Sequence, residues 1–336
     1  MPQPLLSVVV PAYDQQGQLS ACLDSVLGQS FGGFEVIVVA DRSPECPAGV
    51  AQAEGDERVS LLRLNAAVGV GRARNAGAAR ASGRYLLFLD ADHLVSPGAF
   101  LSLADRVREV PDADLLLFGH TRLHRGRVWP GAAEAALDRL GEEVFAPTER
   151  SELFGVPAQA WDRLISRELW IGERLAFPDG QYEEVSTVHH ALLRARRAAV
   201  LPRELVQLRR RQTVHPAGSP GSTVFDLFDQ YEQSFELLEG LSLATAQEVR
   251  PHLFRRMVRH YLFVLDLAGC VSRTERPQFF HRAAEHYRRL QPAGFQRPAG
   301  REGVKFSLLA GGSYSAFEVA KLTQIARTAV AGRTGL

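Results

Sequence analysis

The stretch YLLFLDADH, Tyr85 to His93, runs a mostly apolar segment into two aspartates one residue apart. Alternate residues of an extended chain point the same way, so Asp90 and Asp92 can bring both carboxylates to one point beyond a strand end. Two convergent carboxylates repel unless a cation sits with them. Hard oxygen ligands suit Mg2+ or Mn2+, ions that keep waters and take further ligands from a substrate diphosphate. The competing reading is turn chemistry, because aspartates also cap local backbone N–H groups. His93, next in sequence, reads either as a further ligand or as a hydrogen-bonded structural histidine.

A second acidic pair stands in FPDGQYEEVSTVHH. Pro178 and Gly180 make a turn, and Glu183 with Glu184 opens a predicted helix, where the macrodipole favours ionised carboxylate. Adjacent helical residues diverge by about 100°, so one of the two faces any common site. Two solvated acids at a helix start are the alternative. Further on, RRRQTVHPAGSPGST combines guanidinium groups with a glycine and serine loop. Arg211, Ser219 and Ser222 can close over a diphosphate, since arginine forks match phosphate oxygens and N–H groups of such loops point at anions. The same segment also reads as a solvated basic edge.

The elements that must position these groups follow from hydrophobic period. Leu5–Val10, Phe34–Ala40, Val59–Leu64 and Tyr85–Asp90 are aliphatic runs of strand length. Between them, Leu19, Cys22, Leu23, Val26 and Leu27 share one helical face, and 70–81 is alanine-rich and helical. Strands alternating with helices predict an α/β fold, a mostly parallel sheet with both faces covered and ligands at the carboxyl ends of its strands. Asp41 and Asp90 stand at two such ends. A helix over 98–109, a strand over 114–124, loops with one short helix over 126–150, a helix over about 184–197 and the strand ELVQL complete this part. Beyond residue 225 the pattern is helical throughout.

Composition narrows the class. The 336 residues are 46% hydrophobic and 23% charged, a globular balance with room for more than one core. A net charge of +1 argues against nucleic acid as partner. The three cysteines, Cys22, Cys46 and Cys270, lack metal-site spacing and suit a reducing compartment. The N-terminal apolar run is too short for a signal or a span, so a cytoplasmic chain without a transmembrane helix is expected. The segment AFEVAKLTQIARTAV places Val319, Leu322, Ile325 and Val330 near one face, for packing on the chain's own core or for peripheral contact with an anionic membrane at its inner face.

Taken together, SVVVPAYD, FEVIVVADRSPE and GVGRARNAGAARASGRYLLFLDADH resemble, in this order, the nucleotide-binding half of family-2 glycosyltransferases, which have a GT-A fold. The resemblance is strong over residues 5–125 and weaker to about 225. It implies that Pro11, Ala12 and Tyr13 line a base pocket, that Asp41 contacts the nucleobase, and that Arg74 and Asn75 lie near the diphosphate. Asp90, Ala91 and Asp92 form the D-x-D passage, with Asp92 the direct ligand of Mn2+ or Mg2+. FPDGQYEE is similar to the family's F-P-x-G-x-x-Y-E-D passage, which makes Glu184 the base and Glu183 its neighbour. AWDRLI is similar to W-N-K-L, which places Trp161 and Arg163 on the acceptor side. Ala40, Arg42 and His93 depart from the family pattern.

The resemblance implies inverting transfer from a nucleotide sugar, a UDP-sugar by expectation, to a hydroxyl of a wall polymer, a lipid-linked or a small-molecule acceptor. A catalytically inactive module that binds a glycan or partner is the alternative. A dinucleotide oxidoreductase fails because Gly69, Gly71 and Gly77 do not make G-x-G-x-x-G. A processive synthase fails for want of Q-x-x-R-W. The helical tail faintly resembles the extension in actinobacterial wall-polymer enzymes. The expected organisation is a donor half over 1–125, an acceptor half with the base over 126–224, and a helical extension over 225–336.

Overall fold

The computed structural model describes residues 3–12, 16–41, 55–124, 127–131, 134–141, 143–209 and 223–321. Tyr13, Cys46, Arg211, Ser219 and Ser222 lie outside the described residues, as do Leu322, Ile325 and Val330. The chain forms two compact units, Met1–Val249 and Arg250–Leu336.

The first unit is built on a nine-stranded sheet. Its parallel half consists of β1 (Leu6–Ala12), β2 (Phe34–Asp41), β3 (Val59–Leu64) and β4 (Tyr85–Phe88) in the spatial order β3-β2-β1-β4. All seven residues of β1 are buried, as a central parallel strand covered on both faces requires. One face is covered by α1 (Gln16–Leu27), whose Leu19, Cys22, Leu23 and Val26 enter the same apolar cluster as Phe100, Leu103 and Val107 of α3 (Ala99–Glu109). On the other face lies α2 (Val70–Arg80), brought close by Gly77: a Cβ there would sit 2.3 Å from Val9 Cγ1.

The chain steps outward from β1 to β3 and then returns to place β4 on the opposite side of β1. This reversal opens a crevice at the carboxyl ends of β1 and β4, the usual ligand position in such sheets. Beyond β4 the sheet is mixed: β8 (Arg163–Ser166), β6 (Leu115–His124), β9 (Ala198–Arg209) and β5 (His93–Val95) follow, with β7 (Arg127–Pro130) on β6. The helices of this half are α4 (Glu134–Leu140), α5 (Arg167–Gly172), α6 (Glu184–Arg194) and α7 (Asp226–Glu236).

The α/β architecture agrees with the expectation from sequence, with local differences. Strand β7 falls where loops are expected; its four residues are all exposed and carry no apolar alternation. Helix α6 stops at Arg194 because Ala195 turns extended and Asp114 Oδ2 accepts the N–H groups of Arg196 and Arg197 at 2.8 and 3.1 Å.

The second unit is helical, with most of α8 (Leu243–Asp266), α9 (Arg276–Leu290), α10 (Gly300–Gly311) and a last helix over 314–321. Buried aromatics fill it, including Phe254, Tyr261, Phe279, Phe280, Tyr287 and Phe306. No described helix is long and apolar enough to cross a membrane.

Candidate active site

Strand β4 ends as the chain reaches the acidic pair. Leu89 N–H still donates to Val9 O at 3.0 Å, and His93 N–H then closes a turn on Asp90 O at 2.9 Å before β5 pairs with β9. From the end of β9, Arg209 Nε donates to Asp92 O at 3.1 Å and Nη2 to Gln18 O at 2.9 Å, fastening the turn to α1. The turn is thus held through its main chain, which leaves the carboxylates to converge. Candidate ligand atoms of Asp90, Asp92 and His93 lie within 4.8 Å of one another. His93 Nε2 is 3.5 Å from Asp92 Oδ1 and 4.0 Å from Asp90 Oδ2. Two carboxylates and an imidazole at this spacing fit a divalent cation such as Mn2+ or Mg2+.

Arg74, on α2, ties this pair to the second acidic pair. Its Nη2 donates to Asp90 Oδ1 and its Nη1 to Glu183 Oε1, each at 2.6 Å, and the guanidinium is 3% exposed. Burial alone would favour its neutral form, but the charges of Asp90, Glu183 and Glu184 outweigh that and keep it protonated. A buried guanidinium that bridges two acids on different elements, one nitrogen to each, is a strong geometric constraint.

The loop that carries Glu183 and Glu184 is docked along the first turns of α2. Gly71 permits the approach, since a Cβ there would lie 2.8 Å from Pro178 O and 2.9 Å from Glu183 Cγ. Arg72 pairs with Asp179. Asn75 reads both main-chain groups of Phe177: Nδ2 donates to Phe177 O at 2.8 Å and Oδ1 accepts from Phe177 N–H at 2.9 Å. Asn75, expected near the diphosphate, is therefore engaged here as a clamp on this loop. Farther along, Asp226 Oδ2 accepts the N–H groups of Gln181 and Thr223 at 2.9 and 3.0 Å. Tyr182, immediately before the acids, has φ 59°, a left-handed conformation that costs a non-glycine residue about 1–3 kcal/mol and is held only where surroundings impose it.

The two acids end up in different circumstances. Glu183 is buried and bound to Arg74. Glu184, the first residue of α6, has its carboxyl pKa pushed up to about 8, chiefly by burial; Arg74 opposes the shift, and the charges of Glu183 and Asp90 add to it. Its Oε2 accepts Ala160 N–H at 3.2 Å. A carboxylate with a raised pKa, fixed in direction by one backbone donor, is suited to taking a proton near neutral pH.

Other residues singled out in the sequence are placed as follows. Pro11 and Ala12 are buried at the carboxyl end of β1, and Ala91 is buried between the aspartates. Asp41 accepts Val68 N–H at 2.8 Å and Gly69 N–H at 2.9 Å, fixing the entry to α2. Trp161 is 3% exposed, packed edge-on against His93 and His120 with ring centroids 4.9 and 4.5 Å away. Arg163 donates Nε and Nη2 to Asp162 Oδ1 at 3.0 and 2.7 Å, wholly inside the fold. Burial, then the charges of Arg122, His93 and Arg163, pull the His120 pKa down to about 4. Sequence reasoning missed His120, Asp162, Arg209 and Asp226. Signals existed for Arg209, as the first arginine of RRRQTV, and for Asp162, which stands between Trp161 and Arg163 in AWDRLI; His120 and Asp226 carry no local pattern.

Residues 7–142 match Glycosyl transferase family 2. The glycosyltransferase GlyG of Streptococcus pneumoniae is 26% identical over 239 residues, covering 66% of this chain and 75% of GlyG. The E. coli glucosyltransferase WfgD, named for a UDP-Glc donor and a diphosphoundecaprenol-linked acceptor, is 34% identical over 90 residues, which is 27% of this chain and 36% of WfgD. The uncharacterized glycosyltransferase EpsJ of Bacillus subtilis is 33% identical over 108 residues, 32% of this chain, and the match spans 31% of EpsJ's length. The crystal structure of S. aureus TarS 1–349 in complex with UDP-GlcNAc superposes with a TM-score of 0.72 at 19% identity, covering 95% of this chain and 91% of that one. The likeness to glycosyl transferase family 2 is thus carried by residues 7–142, on a fold like that of TarS.

Proposed function

We propose that the protein transfers a sugar from a nucleotide-sugar donor, a UDP-sugar, to an acceptor hydroxyl with inversion at the anomeric carbon. The reading rests on one observation above the rest: buried Arg74 binds Asp90 on one side and Glu183 on the other, so the phosphate end and the proton-accepting end of a transfer site are held together. The likeness to WfgD and to UDP-GlcNAc-bound TarS supports the choice of donor.

In this reading the base enters the crevice between β1 and β4 beside Pro11, Ala12 and Asp41. Asp41 already accepts two backbone N–H groups and contacts the nucleobase through its remaining lone pairs. Asp92 and Asp90, with His93 in reach, hold Mn2+ or Mg2+, which supplies positive charge to the leaving diphosphate when bound. Glu184 takes the proton of the attacking hydroxyl, and Glu183 stays with Arg74 to hold it in place. Trp161 and Arg163 support the acceptor side from beneath. Arg211, Ser219 and Ser222 join the donor site in this reading on the anion-binding chemistry of their sequence alone.

The test is thermal shift with a panel of nucleotide sugars and Mn2+, followed by transfer or donor hydrolysis. A ligand that binds only the folded state raises the melting temperature. A UDP-sugar is expected to give the largest shift, and Asp92→Ala to abolish it. A shift that survives Asp92→Ala refutes the ligand assignment, and nucleotide binding indifferent to metal favours a module without turnover.

A further inference from the structure

The net charge of +1 conceals a division. Residues 250–336 hold 15 Lys and Arg against 5 Asp and Glu, a formal +10, whereas residues 1–249 hold 24 against 33, a formal −9. The division falls at the boundary between the two compact units. Charge asymmetry of this kind points to an anionic partner for the basic part.

Five acids are too few to pair all 15 cations within residues 250–336. Asp266 receives Lys305 and Lys321, Glu302 pairs with Arg259, and Glu318 with Arg276. Arg273, Arg288, Arg289 and Arg301 are exposed. The same unit also exposes large apolar side chains: Phe263 is 60% exposed, Val304 56% and Val319 60%. Each stands on a different helix close to a cation. Phe263 is one turn after Arg259 on α8, Val304 adjoins Lys305 on α10, and Val319 is two residues before Lys321. The meeting of Lys305 and Lys321 on Asp266, one turn beyond Phe263, gathers these three helices at one place.

We infer that the unit over residues 250–336 docks peripherally on an anionic lipid bilayer. Cationic side chains are drawn to the negative surface potential, and exposed apolar side chains enter the headgroup boundary. A soluble polyanion would use the arginines but leave Phe263, Val304 and Val319 without a role. The charge of −9 on residues 1–249 opposes their own approach to the same surface, so attachment rests on the basic unit.

The experiment is co-sedimentation of the full chain with phosphatidylcholine vesicles, with and without phosphatidylglycerol, across a salt series. Binding is expected only with the anionic lipid and is expected to weaken steeply toward molar salt, where the screening length falls to about 3 Å. Arg273→Glu, Arg288→Glu and Arg301→Glu combined are expected to weaken binding by about tenfold or more. Phe263→Ser is expected to weaken vesicle binding while leaving any association with polyphosphate unchanged. Melting curves of the variants check that each remains folded, and the milder Arg→Gln set repeats the test if the reversals do not. Binding independent of phosphatidylglycerol overturns the inference. So does binding to polyphosphate or DNA with no effect of Phe263→Ser on vesicles, which transfers the basic unit to a soluble polyanion.

Discussion

Replacing Asn75 with alanine separates two roles for this side chain. If it served the diphosphate, the substitution would weaken nucleotide binding and spare the fold. Its observed bonds lead elsewhere, because both go to the main chain of Phe177 at 2.8 and 2.9 Å. Losing them leaves a half-buried N–H and C=O without partners, and each neutral bond is worth about 0.5–1.5 kcal/mol net, with about 1–3 kcal/mol for a buried group left unsatisfied. A total of about 2–4 kcal/mol follows, a fall of roughly 5–12 °C in melting temperature for a unit of this size. The loop it holds leads to Glu183 and Glu184, and a displacement of about 1 Å at a catalytic group costs about a hundredfold in rate. The assay is twofold: isothermal titration with UDP and Mn2+, and steady-state transfer. Nucleotide affinity is expected to stay within about threefold, while kcat falls at least about tenfold. Asn75→Asp, which keeps the acceptor for Phe177 N–H but sets a carboxylate against Phe177 O, will not restore kcat. Unchanged kcat with nucleotide affinity lost would refute the clamp.

Glu184→Gln is expected to lower transfer by about a hundredfold or more while donor binding persists, and wild-type kcat/KM is expected to fall tenfold per pH unit below about 8. Burial raises this carboxyl from its ordinary 4.5, so its contribution to stability is complete below pH 4.5 and lost as pH rises toward 8; Glu184→Gln will therefore melt higher than wild type at pH 9 and level with it near pH 4, and the opposite order at pH 9 would remove the buried carboxyl from the account. Gly71→Ala places a methyl group 2.8 Å from Pro178 O, and the overpacking, about 1–3 kcal/mol, is expected to push the acidic loop off α2 and lower kcat together with the melting temperature.

The sheet was legible in the sequence because buried parallel strands are continuous aliphatic runs, and Asp90 with Asp92 was legible because it ends one of them. β5 and β7, three and four residues long, are too short to carry a period. The partnership of Asn75 with Phe177 spans 102 positions and depends on how α2 lies on a distant loop, which no local pattern records. The burial of Trp161 between His93 and His120 is hidden for the same reason, whereas the basic surplus of residues 250–336 was countable but had no meaning until the unit boundary was known.

One guanidinium serving Asp90 and Glu183 through separate nitrogens makes the three positions a single genetic unit. A lysine has one ammonium and cannot reproduce the fork, and removing either acid changes what the other experiences. Epistasis is the consequence: libraries that vary these positions one at a time will find only losses, and a functional replacement must arrive as a coordinated set.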